Sequence, residues 1–204
     1  MKKIVFATNN EGKIKELRNI FDECFDKDRF EIYSLKDVGV KLDVEEDGVC
    51  YEHNAMLKAR NVYDKLKDYI VIADDSGLEI EALDNEPGIL SARYMGEDTD
   101  YNIKNNNLIE RLNATGSENR SARFVCVLAV IFDNFTERIV RAEWDGEISD
   151  KILGENGFGY DPIFYLREYD MTSAQLSEDL KNKISHRAKA LKKLSLLKEF
   201  KDNR

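Results

Sequence analysis

Tyr69-Ile70-Val71-Ile72-Ala73-Asp74-Asp75-Ser76-Gly77-Leu78 runs through five apolar residues into two adjacent acids, a serine and a glycine. A short apolar run rich in β-branched residues reads as a buried strand over 69–73 that ends in Asp74-Asp75-Ser76-Gly77. A core strand rarely ends in charges without a reason. Successive strand side chains point to opposite faces, so the two carboxylates should meet different surroundings, and one can face a cleft and hold a metal or a water. The plain alternative is an Asp-Ser-Gly turn.

Upstream, Lys3 to Thr8 reads as another short buried strand. From Gly12, the apolar residues Ile14, Leu17, Phe21 and Cys24 recur at helical spacing, so a tight polar loop should lead into a first helix. Phe30 to Ser34 is a second strand, and Tyr51, Ala55, Ala59, Val62 and Leu66 predict a helix over 51–66. Downstream, a helix is expected over 99–112. The apolar run Phe124 to Phe132 is a central strand, with its antiparallel partner over 136–148. A loop covers 154–162, and a last helix starts near Ser185 with Ala188, Leu191, Leu194 and Leu197 on one face. Strands mixed with helices, plus a long hairpin, give an α/β class with a mixed sheet. The polar clusters follow strand ends, where ligands of open α/β sheets commonly sit.

The 204 residues carry no repeat and no Pro/Gly/Ser-rich linker, and only Pro87 and Pro162 occur, so nothing marks a domain boundary. No apolar run approaches the roughly 18 residues of a membrane span, and the N-terminus lacks the apolar core of a secretory leader. Cys24, Cys50 and Cys126 are odd in number and far apart, which fits a reducing cytoplasm rather than a disulfide framework or zinc site. The net charge of −9 disfavours a dedicated nucleic-acid binder. Residues 181–204 carry nine Lys/Arg against two acids, so an acidic body bears a basic C-terminal segment. That combination suits an anionic small substrate together with a cation, or simply a solvated basic helix face.

Five clusters could carry chemistry. Thr8-Asn9-Asn10-Glu11-Gly12-Lys13 lies between strand and helix and offers backbone donors, a positive helix end and a lysine, the parts a phosphate needs. It lacks the Walker A pattern, and read alone it is more often an ordinary capped turn with a surface lysine. Asp43, Glu45, Glu46 and Asp47 form an acidic run that could hold a hard cation such as Mg²⁺ or be a solvated loop. Asp74-Asp75-Ser76 is the third. In Gly157-Phe158-Gly159-Tyr160-Asp161-Pro162, small residues would let a planar ligand approach the backbone while a ring stacks on it. Lys181 with Ser185-His186-Arg187 supplies donors for a base oxygen or a phosphate, Ser185 being a good N-cap. Arg187 in a first helical turn works against the helix dipole, a local conflict of the kind found at functional sites.

In order along the chain, Ala7 to Lys13, Asn54-Ala55 with Lys58-Ala59-Arg60, Ala73 to Leu78, Pro87-Gly88-Ile89 with Ser91-Ala92-Arg93-Tyr94, Ala122-Arg123-Phe124, Gly157 to Pro162 and Ser185-His186-Arg187 together resemble the Ham1/inosine triphosphate pyrophosphatase family. The resemblance implies a house-cleaning hydrolase that splits non-standard purine nucleoside triphosphates (ITP, dITP, XTP) into the monophosphate and pyrophosphate. It implies Mg²⁺ as cofactor and usually a homodimer. It also implies one elongated, two-lobed α/β domain over 1–204, built around a long mixed sheet with the active site in the cleft between lobes.

Carried over, Thr8, Asn9, Asn10, Glu11, Gly12 and Lys13 bind the triphosphate. Glu46 (or its neighbour Glu45) and Asp75 hold metal, Asp75 also takes the proton, and Ser76 lies against substrate. Phe158, Gly159, Tyr160, Asp161, Lys181, His186 and Arg187 line the nucleoside pocket. Two positions depart from the family pattern: Asn9 stands where many members have Gly, and His53 where many have Glu. A non-catalytic nucleotide-binding module would keep the phosphate loop without needing paired acids. A pyrophosphatase for pyrimidine or other modified triphosphates is the nearest enzymatic alternative.

Overall fold

The computed structural model describes residues 1–42, 44 and 48–201. Among them, eight strands and six α-helices alternate: β1 (Lys2–Phe6), α1 (Glu11–Cys24), β2 (Phe30–Ser34), α2 (Tyr51–Tyr63), β3 (Ile70–Ile80), β4 (Glu86–Pro87), α3 (Tyr101–Ala114), β5 (Ser121–Ile131), β6 (Glu137–Ile148), β7 (Phe164–Leu166), β8 (Met171–Thr172), α4 (Glu178–Ile184), α5 (His186–Ser195) and α6 (Lys198–Lys201). The strands form one sheet in the order β2-β1-β3-β5-β6-β7-β8, with β4 paired to β3. β1 runs parallel to β2 and β3, whereas β4 on β3, β7 on β6 and β8 on β7 are antiparallel, so the sheet is mixed as the sequence suggests.

The chain divides into two compact units, Met1–Asp75 with Cys126–Ala142 and Arg187–Arg204, and Ser76–Val125 with Glu143–His186. The first has its own core. Leu17, Ile20 and Phe21 of α1 and Ala188, Leu191 and Leu194 of α5 cover Ile4, Phe6, Ile70, Ile72, Leu128 and Val130 of the sheet. Phe21, Phe25, Phe30 and Phe200 interlock there, the first two stacked at 3.9 Å between centroids. The second core gathers Leu78, Ile80, Leu108, Leu112, Phe124, Trp144, Ile163, Phe164 and Leu176.

One expectation fails in an informative way. The strand expected to end at Ala73 does not stop there, and no turn forms at Asp74-Asp75-Ser76-Gly77: β3 runs on to Ile80, 11 residues in all, buried almost throughout. Turn chemistry is a local preference, and here distant cations override it by pairing with both acids, so the strand has no reason to stop. The last helix starts near Ser185, as the sequence suggests, and is preceded by a short helix that the sequence does not show. α4 is capped by the Ser177 side chain, Ser185 has extended backbone angles, and α5 starts at His186.

Candidate active site

α1 starts where the sequence places it. Asn10 is the N-cap, its side chain accepting from the Lys13 amide at 3.0 Å, and the Thr8 hydroxyl oxygen accepts from the Asn10 amide at 3.2 Å. Residues 8–13 thus form a tight turn from the end of β1 into a helix N-terminus, the geometry that suits a phosphate. The Lys13 ammonium reaches back to Asp74.

Residues 70, 72 and 74 share one face of β3, the face covered by α1 and α5, so Asp74 descends into the first core. Its carboxylate is fully buried and accepts from Lys13 on Oδ1, and from Arg187 Nε at 3.0 Å and the Cys126 thiol at 3.3 Å on Oδ2. Burial alone would raise this carboxyl, but Arg187 and then Lys13 outweigh it and hold it well below the usual carboxylate range. Arg187 also pairs with Glu16 of α1. The two acids more than offset its burial and push the guanidinium further toward the charged form. Burial, and then the Asp74 charge, keep the Cys126 thiol protonated far above its ordinary range.

Asp75 points to the opposite face, where Lys58 of α2 meets it. Nζ to Oδ1 is 2.8 Å, and both side chains are buried. The two adjacent acids therefore have separate cations on separate faces, as strand alternation requires.

In the second unit, the loop Gly157-Phe158-Gly159-Tyr160-Asp161 is tied together through the Asp161 carboxylate. This carboxylate accepts the Phe158 amide at 2.8 Å, the Ser173 hydroxyl at 2.6 Å and the Lys181 ammonium. Gly157 has φ +75°, and a Cβ there would come within 2.2 Å of Asp161 Oδ2, so glycine is required. The Lys181 ammonium also lies 5.2 Å from the Phe158 ring centre. Tyr160 donates to the Ser91 carbonyl at 2.7 Å, and burial raises its phenol. His186 is stacked on Phe124, 4.7 Å between centroids and 13° between planes, with Trp144 beyond at 6.2 Å.

Thr8 to Lys13, Asp75 and Arg187 thus lie in the first unit, and Ser76, Phe158 to Asp161, Lys181 and His186 in the second. Glu45 and Glu46 lie outside the described residues. Arg187 and Asp161, expected against the nucleoside, are largely occupied by protein partners: Asp74 and Glu16 for Arg187, and Ser173, Lys181 and the Phe158 amide for Asp161. Sequence reasoning assigned no role to Lys58, Glu16, Cys126, Phe124 or Ser173. For Lys58 and Phe124 a signal existed, since both fall in stretches that carry the family resemblance. For Glu16, Cys126 and Ser173 none did, because their partners lie far away along the chain.

A mixed α/β sheet with a phosphate-type turn, buried acid–cation pairs and an aromatic loop defines a nucleotide-handling class of protein. The Ham1 family model matches residues 4–196. A Bacillus anthracis protein named dITP/XTP pyrophosphatase is 46% identical over 196 residues, 95% of each chain. A Bacillus subtilis protein of the same name is 44% identical, covering 98% of each. The Staphylococcus aureus Ham1 structure superposes with a TM-score of 0.84 at 40% identity, over 98% of this chain and 100% of that one. A Coxiella burnetii HAM1 structure gives 0.85 at 36% identity, over 96% and 97%. The chain belongs to the Ham1 family.

Proposed function

We propose that this chain is a nucleoside triphosphate pyrophosphatase. It hydrolyses dITP, XTP and ITP to the monophosphate and pyrophosphate and so cleans the nucleotide pool. The observation that carries the reading is the pair of adjacent buried acids on β3, each with its own cation, in a chain 40–46% identical over nearly its whole length to proteins named dITP/XTP pyrophosphatase. A binding module would have no need of a second buried acid beside the first.

The turn at 8–13 takes the triphosphate on its backbone donors and the α1 terminus. Lys13 exchanges part of its pairing with Asp74 for phosphate oxygens, and Arg187 keeps Asp74 charged and in place. Asp75 accepts the proton of the water that attacks the α-phosphorus, its orientation fixed by Lys58. General-base help of this kind is worth about 10²–10⁴-fold.

Nucleotide pyrophosphatases generally work with a divalent metal, here Mg²⁺. Among the described residues no three His, Cys, Asp or Glu side chains converge on a metal position. The donor chemistry that fits is a hard carboxylate, Asp75, joined by an acid of 43–47 (Glu46 in this reading) and by phosphate oxygens, the mixed ligand set Mg²⁺ favours. When bound, the metal neutralises charge on the triphosphate and favours attack at phosphorus.

Phe158 and Tyr160 serve the base, and Ser76 lies against the substrate. Lys181, His186 and backbone amides offer donors that match the 6-oxo group of hypoxanthine or xanthine. Adenine presents an amino group there, and an unpaired buried donor costs about 1–3 kcal/mol, enough for tens- to hundredfold discrimination. The protein works as a single domain, as a homodimer, in the cytoplasm and on a small-molecule substrate.

The test is product release from ITP, dITP, XTP, GTP and ATP with and without Mg²⁺. Pyrophosphate from the first three, lost in Asp75→Asn while the fold is kept, supports the reading. Orthophosphate as product, or equal turnover of all five, sinks it.

A further inference from the structure

α3 carries two consecutive buried polar residues that the mechanism leaves unused, Lys104 and Asn105. The Lys104 ammonium donates to the Ala92 carbonyl at 3.0 Å and lies 4.8 Å from the Tyr101 ring centre. The Asn105 amide donates to the Gly159 carbonyl at 3.1 Å. Tyr101 packs edge-on against Tyr160 at 5.3 Å, and Tyr160 closes the circuit through the Ser91 carbonyl. One turn of α3 therefore grips both the 91–92 segment and the Phe158–Tyr160 loop.

Asn105 is 1% exposed, and its own side-chain oxygen is buried with no hydrogen-bond partner. For packing alone an apolar side chain would serve better, because a half-satisfied buried amide is unfavourable. The amide is worth keeping only for what its donor holds. Gly159 has φ +68°, and a Cβ there would meet nothing nearer than 3.6 Å, so its conformation is not imposed by crowding. A tether is what such a permissive backbone needs.

We infer that Asn105 is a positioning residue for nucleobase recognition, acting through the Gly159 carbonyl to hold Phe158 and Tyr160 in register with the purine. The inference rests on the proposed pyrophosphatase reading, and one experiment separates the two. Wild-type protein is first assayed for pyrophosphate release from dITP and XTP. No release sinks the functional reading itself.

If wild type is active, Asn105→Leu is compared with it on dITP, XTP and dATP, with inorganic tripolyphosphate as a competitive inhibitor that has no base. A displaced recognition group should raise KM for dITP and XTP by about tenfold or more, leave kcat within about threefold, and narrow the preference over dATP. The inhibition constant of tripolyphosphate should stay at its wild-type value. Asn105→Ala is the second variant if Asn105→Leu does not fold, and Asn105→Gln, which keeps the amide, should recover part of the KM.

A folded variant with unchanged KM and unchanged preference overturns the inference. So does a uniform loss of kcat, or a tripolyphosphate constant that rises as far as KM. Failure of both truncations to fold would make Asn105 a purely structural residue and overturn it equally.

Discussion

Arg187→Met separates two roles for the second residue of α5. In the structure the guanidinium is 2% exposed and lies between Asp74, fully buried, and Glu16, 8% exposed. Removing one member of a buried ion cluster costs about 3–5 kcal/mol, chiefly because the remaining charges are left in a poorly solvating interior. Asp74 retains Lys13 and the Cys126 thiol, so the lower half of that range is expected. For a protein of this size each kcal/mol moves Tm by about 2–4 °C, so the variant should melt roughly 6–16 °C lower. Thermal and urea unfolding of wild type, Arg187→Met and the Glu16→Gln/Arg187→Met double at neutral pH measure this. The double should recover part of the loss, since it also removes one stranded charge. A loss under about 1 kcal/mol, with base selectivity gone, would refute the reasoning and assign the guanidinium to the nucleotide instead.

The Asp74 carboxyl is held below its unfolded value, so its contribution is complete above pH ~4 and is lost as pH falls through its folded value. Acid unfolding curves of wild type should therefore steepen below about pH 4, and those of Asp74→Asn should be flatter there. Cys126 is buried and held as a thiol, so a thiol reagent at pH 8 should leave it unlabelled in folded protein while reaching half-buried Cys24 and Cys50 first; mass spectrometry of the labelled protein reads the order. Ser173→Ala removes the 2.6 Å bond to the Asp161 carboxylate, which should cost about 1.5–3 kcal/mol in denaturant unfolding and raise KM for dITP.

Periodicity carried most of the fold. β2 falls on the residues expected, and α1, α2, α3, β5 and β6 differ from expectation by a few residues at their ends. The two-residue strands β4 and β8 are too short to show any period, and the seven residues of α4 span only two turns. The Asp-Asp-Ser-Gly stretch misled for a different reason. Its local chemistry is that of a turn, while its partners Lys13, Lys58 and Arg187 stand 61, 17 and 113 positions away from the acids they pair with.

The site shows the same division. Residues grouped by motif were legible as groups, because loop and helix-cap chemistry is local. Which cation neutralises which acid was not, because nothing in a linear stretch fixes the side of the sheet from which Glu16 or Lys58 arrives. Phe124 could be read as a core residue, but its ring-on-ring contact with His186 is a property of the folded unit.

The alternation of Asp74 and Asp75 along β3 ties chemistry to reading frame. Ile70 and Ile72 lock one parity of the strand into the first core, and the acids inherit their opposite directions from it. Side-chain substitutions along β3 leave that parity untouched. Insertion or deletion of a single codon between Ile72 and Asp74 would exchange the surroundings of the two carboxylates, sending Asp75 toward the Arg187 guanidinium and Asp74 toward Lys58. Length in this strand should thus be inherited far more strictly than composition.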